Sequence, residues 1–337
     1  MTRTPVALAA LLLAGLMALA GCGEKKDVAR PPAVQKLDVI LDYLPNADHV
    51  GLFAAERQGH FKRAGLDVEL RTPSDPSAPL KLLAAGKADL AISYEPELLL
   101  ARDKGLRLVS VGAIVQKPLT SIMALGSAGI RSPADLAGKR VGTSGIPYQD
   151  AYLKTILSRA GADPDSAEVI NVGFNLVPAM LSRKVDATLG AFWNVEGVEL
   201  ARRGRSPTII RVDRAGVPTY NELILVARQD DLGRRGGLVR RFMRATGQGY
   251  AAARSNPKRA VEDLVKVNPD LNPTLQLAQV RTTLPVFFPD KPGRPFGFQS
   301  TAQWRAYGAW MRRNGLVERP PVAEDALTNE FLPGQGL

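Results

Sequence analysis

The sequence predicts an α/β protein made of two lobes with one topology. Short apolar strands alternate with helical patterns up to about residue 228, which is the order expected of parallel βαβ units. The segment GKADLA at residues 86–91 has a counterpart, RKVDAT, at residues 183–188, and each leads into a strand followed by aromatic and acidic residues. With 337 residues, of which 45% are apolar, the chain can supply a core to each lobe.

The first βαβ unit is the stretch from Leu37 to Leu70. An apolar strand, LDVILDYL, is followed by a turn-prone PNADH, a helical VGLFAAERQGHF and a second strand, LDVEL. Ligands of open α/β sheets bind just beyond the carboxyl ends of the strands. The polar residues at that position of the first strand are therefore candidate ligand contacts, although ordinary loop and capping roles stay open: Asp42, Tyr43, Asn46 and His49.

Two later strand ends carry similar side chains. Tyr94 and Glu95 follow the strand that begins at Leu90, and the strand ATLGAF is followed by Trp193, Asn194 and, two residues later, Glu196. These are the two places related by the internal repeat. They add a second group of candidate ligand contacts.

The chain from about Asp231 onward is predicted to be mostly helical. The long helical pattern there is ended by Asn256-Pro257, and two further helices are expected near residues 258–267 and 275–283. A later helix carries Trp304, Tyr307 and Trp310 at three-residue spacing on one face. These three rings are expected in the core and not at a ligand site.

Residues 1–21 form a predicted signal peptide, with Arg3 before an apolar run too short to span a bilayer. The run ends in Leu-Ala-Gly-Cys, which resembles the lipobox of bacterial lipoproteins, so we expect lipidation of Cys22. A plain secretory signal is the alternative, and both place the mature protein outside the cytoplasm. Residues 22–36, polar and with two prolines, then form a predicted flexible tether to the membrane.

Charge and composition exclude several classes of function. The net charge is +11, but the basic residues are scattered and are not interleaved with aromatics, so we expect no binding of nucleic acid. With two histidines and one cysteine, the chain is expected to hold no metal, no cofactor and no internal disulfide. Beyond the signal no apolar run is long enough to span a membrane. The protein is expected to be a monomer.

Four stretches together resemble the family of bacterial substrate-binding proteins for thiamine pyrimidine precursors. That family is also similar to the fungal pyrimidine synthase of thiamine biosynthesis. The resemblance covers about residues 37–228 strongly and the helical remainder loosely. The stretches are LDYLPNADHVGLFAAERQGHFKRAGLDVEL, GKADLAISYE, SPADLAGKRVGTSG and GAFWNVEGVEL.

The resemblance implies a type II periplasmic binding protein with a ligand cleft between two α/β lobes. Lobe one would comprise residues 37–125 and 223–337, and lobe two residues 126–222. The chain would cross between them near residues 119–125 and 219–225. The implied partners are the permease and the ATPase of an ABC importer.

Departures from the synthase pattern favour a binding protein over an enzyme. The synthase lysine and the histidine four residues after it align with Ser93 and Glu97, and its cysteine-rich run aligns with residues 218–222. The phosphate-gripping turn is replaced by residues 145–148, so an unphosphorylated ligand is expected.

An aminopyrimidine is flat and carries donors and acceptors on its edge, so its site needs aromatic faces and carboxylate or amide partners. Residues 142–145 open a helix whose N–H groups could hold a ligand oxygen. On this basis the full set of candidate ligand residues is Asp42, Tyr43, Asn46, His49, Tyr94, Glu95, Gly145, Tyr148, Trp193, Asn194, Glu196, Tyr220 and Glu222.

Other functions of the same fold stay open. The ligand could be another flat heteroaromatic, such as a flavin precursor, or a sulfonate, although an acidic and aromatic cleft argues against an anion. A pyrimidine-synthase-like enzyme and a sensory module are the remaining alternatives.

Overall fold

The computed structural model of the chain describes residues 34–334. The predicted signal peptide, Cys22 and most of the tether lie outside these residues. The predicted tether end at residue 36 is wrong, because the first strand already begins at Gln35. The N–H of Gln35 donates to the carbonyl of Gly65 over 3.0 Å, so sheet pairing includes the last two residues assigned to the tether.

Two five-stranded sheets organise the described chain. The strands are β1 (Gln35–Ile40), β2 (Leu66–Arg71), β3 (Leu90–Ser93), β4 (Leu108–Ala113), β5 (Thr120–Leu125), β6 (Arg140–Thr143), β7 (Glu168–Asn171), β8 (Ala187–Phe192), β9 (Pro207–Arg211) and β10 (Ile224–Arg228). The first sheet has the order β2-β1-β3-β10-β4 and the second the order β7-β6-β8-β5-β9.

The two sheets have the same topology. In the first sheet β1 pairs in parallel with β2 and β3, and in the second sheet β6 pairs in parallel with β7 and β8. Each sheet also contains one antiparallel inner strand, β10 in the first sheet and β5 in the second. In the sequence, β10 comes after all the strands of the second sheet, and β5 comes directly after β4 of the first sheet. The predicted pair of α/β lobes with one topology is confirmed; we call the part with the first sheet the first lobe and the part with the second sheet the second lobe.

The position of β5 corrects one lobe boundary. The sequence places residues 119–125 at the crossing and ends the first segment of lobe one at residue 125. In the structure, β5 pairs along its length with β8 and β9, so the chain is already in the second sheet at Thr120. Strand β5 is thus both the last part of the predicted crossing and an inner strand of the second sheet. The apolar pattern of the sequence does not distinguish these two roles. The other boundaries stay predictions.

The helices pack around these sheets. They are α1 (Val50–Arg57), α2 (His60–Arg63), α3 (Pro79–Ala84), α4 (Glu95–Asp103), α5 (Pro147–Arg159), α6 (Leu176–Leu181), α7 (Glu196–Arg202), α8 (Gln229–Ser255), α9 (Pro257–Val267), α10 (Pro273–Thr283), α11 (Thr301–Arg313) and α12 (Ala323–Ala326). Short 3-10 turns cover Ala47–His49, Gly126–Ala128, Pro133–Leu136, Val212–Arg214 and Leu284–Val286. The helical C-terminal region is confirmed, including the end of α8 before Asn256-Pro257.

Helix α8 fixes the position of α1 and of the loop before it. A Cβ at Gly249 would overlap the carbonyl oxygen of Gly51, and a Cβ at Gly51 would overlap the ring of Tyr250. The two helices therefore cross closely only because glycine stands at both positions. The hydroxyl of Tyr250 also donates to the carbonyl of Asp48 over 2.6 Å, so α8 fixes the position of the loop that precedes α1 as well.

The aromatic face of α11 is buried, as predicted. Trp304, Tyr307 and Trp310 are at most 4% exposed. The indole N–H of Trp304 donates to the side-chain oxygen of Asn221, which connects this helix to the chain just before β10. Within residues 34–334 no helix combines the length and the apolar character needed to cross a membrane.

Candidate functional site

A small cavity lies where the two lobes meet, at the carboxyl ends of their parallel strands. This is where the sheet topology places a ligand. Its lining residues come from both lobes and are Asp42, Tyr43, Asn46, Tyr94, Ser144, Ile146, Tyr148, Gln149, Leu176, Gly190, Phe192, Val195 and Glu196. Six of the candidates named from the sequence are among them: Asp42, Tyr43, Asn46, Tyr94, Tyr148 and Glu196.

On the first-lobe side the centre of the cavity wall is Asp42. Its carboxylate accepts from the Tyr94 hydroxyl over 2.7 Å and from His49 Nε2 over 2.9 Å. The Nδ1 atom of His49 accepts from the N–H of Asn46, which places the imidazole proton on Nε2. His49 therefore lies behind Asp42 and orients it, outside the lining of the cavity.

Asn46 and Tyr43 flank this wall. The Asn46 side chain accepts from the N–H of Asp48 and so caps the turn that leads into α1, as its position in the sequence predicts. The ring of Tyr43 makes an edge contact with Phe174 across the cleft, and burial raises the pKa of the Tyr43 hydroxyl above its ordinary value, with Glu196 adding to the shift. Tyr43 thus keeps its proton and can donate it.

On the second-lobe side Tyr148 presents a buried donor. Its side chain is fully buried, and its hydroxyl has no hydrogen-bond partner among the described residues. The Tyr148 ring lies 5.7 Å from the ring of Tyr94, centroid to centroid, so aromatic surface from both lobes meets at the cavity. A buried hydroxyl without a partner is costly, and a ligand acceptor would remove that cost.

A glycine bulge shapes the same side of the cavity. Pairing between β5 and β8 skips Gly190, which has φ +116°. A Cβ at this position would overlap Nε2 of Gln149, whose Oε1 accepts from the N–H of Ser144 over 2.9 Å. Gly190 therefore leaves room for Gln149, and Gln149 in turn fixes the loop that carries Ser144 into the cavity wall.

Glu196 gives the cavity its second carboxylate. Glu196 is the first residue of α7. Its carboxylate accepts from the N–H of Phe192 over 2.7 Å, and the residue is half-buried. Burial raises the pKa of Glu196 to about 7, and the hydrogen bond from Phe192 opposes the rise. Among the described residues that line the cavity none is Lys, Arg or His. The site is thus acidic and aromatic inside a basic protein.

Trp193 and Asn194 do not line the cavity. The indole N–H of Trp193 donates to the carbonyl of Pro118, and the Arg211 guanidinium lies 4.7 Å from its ring centroid. The amide of Asn194 donates to Asp48 and to Thr283. Both residues follow β8 as predicted, but their side chains make protein contacts.

Glu95, Tyr220 and Glu222 also lie outside the cavity lining: Glu95 begins α4, and Tyr220 and Glu222 lie on the connecting segment that leads into β10. Glu95 accepts from the N–H of Asn221, and burial raises the pKa of Glu95 above its ordinary value. The Tyr220 hydroxyl donates to Glu222, whose carboxylate binds the start of β5. The candidate role of these residues in ligand binding stays a prediction. Glu95 holds the segment before β10 against α4, and Glu222 joins that segment to the start of β5.

Two backbone N–H groups of the loop before α5 already have hydrogen-bond acceptors within the protein. The N–H of Gly145 points at the Thr143 hydroxyl over 3.4 Å, and the N–H of Ser144 is bound to Gln149. Gly145 itself has φ +76° and no room for a Cβ beside Asn171. Its contribution in this structure is the turn that brings Ser144 and Ile146 to the cavity.

Six lining residues were not among the candidates named from the sequence, namely Ile146, Gln149, Leu176, Gly190, Phe192 and Val195, and Ser144 was included only through the range 142–145. One signal was available, since a glycine inside the apolar strand ATLGAF is typical of a bulge or of a close approach. Gln149 gives no such signal, because its position on α5 looks like any polar helix residue. In residues 34–334 no group of three or more His, Cys, Asp or Glu side chains could hold a metal ion.

The sequence model of the family described as NMT1/THI5 like matches residues 46–260. A formylaminopyrimidine-binding protein from Halalkalibacterium halodurans is 34% identical over 320 residues, which cover 94% of this chain and 97% of that protein. The chain belongs to the NMT1/THI5-like family. The resemblance found in the sequence is thereby confirmed.

Two further comparisons define how far the likeness extends. The 4-amino-5-hydroxymethyl-2-methylpyrimidine phosphate synthase of Legionella pneumophila is 26% identical to this NMT1/THI5-like chain, over 88% of the chain and 92% of the enzyme. The alkanesulfonate-binding protein from Xanthomonas axonopodis pv. citri superposes with a TM-score of 0.69 at 18% identity, over 89% of this chain and 99% of that one. The second comparison confirms the periplasmic-binding-protein fold.

Proposed function

We propose that this NMT1/THI5-like protein is a solute-binding protein that binds a pyrimidine precursor of thiamine and catalyses no reaction on it. The ligand would be a formylaminomethyl- or hydroxymethyl-aminopyrimidine. The observation that carries the proposal is the composition of the interlobe cavity: tyrosines from both lobes, the carboxylates of Asp42 and Glu196, and no cation among its described lining residues. The relative from H. halodurans, a formylaminopyrimidine-binding protein, supports the same ligand class.

The chemistry of the cavity suits an aminopyrimidine. The rings of Tyr43, Tyr94 and Tyr148 offer aromatic surface to a flat heterocycle. An exocyclic amine can donate to Glu196 or Asp42, and the unpartnered hydroxyl of Tyr148 can donate to a ring nitrogen or to a formyl oxygen.

The residues at the synthase positions argue against catalysis. Ser93, which stands where the synthase has its lysine, is fully buried and donates to Glu97 over 2.6 Å. Neither residue lines the cavity. The sole cysteine of the sequence is Cys22, so a cysteine-rich iron site has no ligands in this chain.

A sulfonate is the second candidate, because the structural neighbour from X. axonopodis binds alkanesulfonates. An oxyanion needs cationic side chains or several free donors. Two carboxylates at the wall of this cavity would repel it. We therefore place the sulfonate second.

We also propose that the protein works outside the cytoplasm, anchored through a lipid on Cys22, and delivers its ligand to an ABC permease with its ATPase. The lipobox-like sequence before Cys22 supports the anchor. Labelling with a radioactive fatty acid should mark the wild-type protein and leave a Cys22→Ser variant unlabelled. Equal labelling of both would refute the anchor without touching the ligand proposal.

The test of the ligand is titration calorimetry on purified protein with four compounds: formylaminomethyl-aminopyrimidine, hydroxymethyl-aminopyrimidine, a flavin precursor and an alkanesulfonate. We expect heat of binding and thermal stabilisation from an aminopyrimidine alone. Native mass spectrometry of the protein as purified checks the same point without a chosen ligand. Binding of the sulfonate in preference to both pyrimidines would overturn the proposal, and turnover of a bound pyrimidine would overturn its non-enzymatic part.

A further inference from the structure

A buried hydrogen-bonded cluster joins the two lobes beside the cavity. Asp48, in the turn before α1, belongs to the first lobe, and Asn194 follows β8 in the second. Asn194 Nδ2 donates to Asp48 Oδ1 over 2.6 Å and to Thr283 Oγ1 over 2.7 Å. Asp48 is 1% exposed and Asn194 is 0% exposed. The cavity-lining set does not include these residues, so the proposed ligand does not explain this cluster.

The hydrogen bonds of the cluster fix where each proton lies. The Thr283 hydroxyl donates to the carbonyl of Gln279 over 2.8 Å, so its oxygen is left to accept from Asn194. Both protons of the Asn194 amide nitrogen therefore have acceptors. Two oxygens stay without any hydrogen-bond partner among the described residues: Oδ2 of Asp48 and Oδ1 of Asn194.

One proton would satisfy both oxygens. A carboxylic acid and a primary amide each offer one donor and one acceptor on the same edge, and together they can form a ring of two hydrogen bonds. An ionised carboxylate can only accept, which leaves the amide oxygen unpaired and a buried charge without a counter-ion.

We propose that Asp48 and Asn194 form a proton-dependent latch, in which the protonated carboxyl of Asp48 donates to Asn194 Oδ1 and holds the two lobes closed. The latch is independent of which ligand fills the cavity.

The surroundings of Asp48 favour the protonated form. Burial raises the pKa of Asp48 well above its usual range, and the charges of three further acids, Asp42, Glu196 and Glu222, add to the rise. Tyr250 on α8 donates to the backbone carbonyl of Asp48, and the neighbouring His49 is bound to Asp42. The hydrogen bond from Asn194 is the one influence in the opposite direction.

The direction of the pH effect follows from the different surroundings of Asp48 in the closed and in the open protein. When the lobes separate, Asn194 leaves and water reaches Asp48, whose pKa then falls towards its ordinary value. The closed form thus binds one more proton than the open form, so acid favours closure and alkali favours opening. For one proton the ratio of closed to open molecules changes by at most about tenfold per pH unit.

Small-angle X-ray scattering of the ligand-free protein between about pH 5 and about pH 9 tests the latch. We expect the radius of gyration of the wild-type protein to increase with pH. In Asp48→Asn the new amide supplies a permanent donor, so the radius should stay at its low-pH value throughout. Thr283→Val is the matched control: it removes an acceptor of the same Asn194 amide but no titrating group, and should keep the pH dependence.

A wild-type radius that does not change with pH, or an Asp48→Asn variant that expands like the wild type, would overturn the latch. Carbon-13 NMR of the Asp48 carboxyl in the wild-type protein gives a readout that needs no variant to fold. Titration well above the other aspartates supports the proposal, and titration together with them overturns it. Because neither measurement uses a ligand, failure of the latch is distinct from failure of the proposed function.

Discussion

The carboxylate of Glu222 accepts hydrogen bonds from both the backbone N–H and the hydroxyl of Thr120, over 2.8 and 2.9 Å. Oε2 of Glu222 also accepts from the N–H of Leu119 and from the Tyr220 hydroxyl. Thr120 is the first residue of β5, and Glu222 lies two residues before β10. A single buried side chain thus binds together the two segments through which the chain passes between the lobes.

Replacement of Glu222 by alanine should destabilise the protein by about 3–5 kcal/mol, because it leaves buried N–H and hydroxyl donors without an acceptor. Glu222→Gln is the matched control. Its carbonyl can take the place of Oε2, and its amide can donate to the Thr120 hydroxyl, so the loss should be about 1–2 kcal/mol. Urea denaturation of both variants measures the difference.

Equal stability of Glu222→Ala and Glu222→Gln would show that the hydrogen bonds of Glu222 do not stabilise the two segments between the lobes. If Glu222 instead contacts the ligand, as the sequence suggests, both variants would lose ligand affinity while Glu222→Gln stays as stable as the wild type.

The second prediction concerns the pH dependence of stability and rests on Glu97. Burial raises the pKa of this carboxyl from 4.5 to about 7, with the hydrogen bond from Ser93 acting against the rise. The folded protein therefore holds a proton that the unfolded chain releases between pH 4.5 and 7. Stability should fall as the pH rises through this interval, by up to about 3 kcal/mol from this residue, and then level off.

Glu97→Gln removes this titration. The variant should be more stable than the wild type above pH 7, and its stability should fall less steeply between pH 5 and 7, as measured by urea denaturation at each pH. The same exchange at the exposed Glu69 serves as the control and should leave the profile unchanged. Parallel profiles of wild type and Glu97→Gln would show that Glu97 is ionised in the folded protein.

The strands and their order along the chain were predictable because burial imposes a local pattern on the sequence. A parallel strand covered on both faces is a short apolar run, and LAIS and ATLGAF carry that pattern. The pattern also indicates where each strand ends, so Asp42, Tyr94 and Glu196 could be assigned to the cavity edge.

The direction of each side chain at that edge was not predictable. Trp193 and Glu196 both follow β8, yet the indole binds the carbonyl of Pro118 and the carboxylate reaches the cavity. Which of them faces the cavity depends on the partners of each side chain, such as Pro118 and Arg211 for Trp193. These are contacts between residues far apart in the sequence, and no local periodicity reports them.

The third prediction tests the bulge. Gly190→Ala should destabilise the protein by about 2 kcal/mol or more, because the residue has a positive φ and its Cβ would overlap the Gln149 amide. Gly204 also has a positive φ, of +68°, but open space around its Cβ, so Gly204→Ala should cost only about 1 kcal/mol. Thermal denaturation compares the two.

The double variant Gly190→Ala with Gln149→Ala separates strain from overlap. Removing the Gln149 side chain should relieve the overlap, so that the double variant is less destabilised than the sum of the two single changes. Strict additivity would mean that the backbone conformation alone, and not the contact with Gln149, accounts for the glycine.

The last prediction concerns the two buried tyrosines of α5, which differ in one respect. The Tyr148 hydroxyl has no partner among the described residues, whereas the Tyr152 hydroxyl is hydrogen-bonded to that of Tyr307. Tyr148→Phe should leave the ligand-free protein as stable as the wild type or up to about 1 kcal/mol more stable, because it removes an unsatisfied polar group. Its affinity for the pyrimidine should fall about tenfold, since the donor for the ligand is lost.

Tyr152→Phe should behave in the opposite way. It leaves the Tyr307 hydroxyl unpaired in the core, so stability should fall by about 1–2 kcal/mol, while affinity for the pyrimidine stays within about twofold of the wild type. Calorimetric titration and thermal denaturation of the two variants measure both quantities. If Tyr148→Phe loses stability and keeps its affinity, the hydroxyl serves the fold and the donor to the ligand must come from Tyr43 or Ser144, whose side chains line the same cavity.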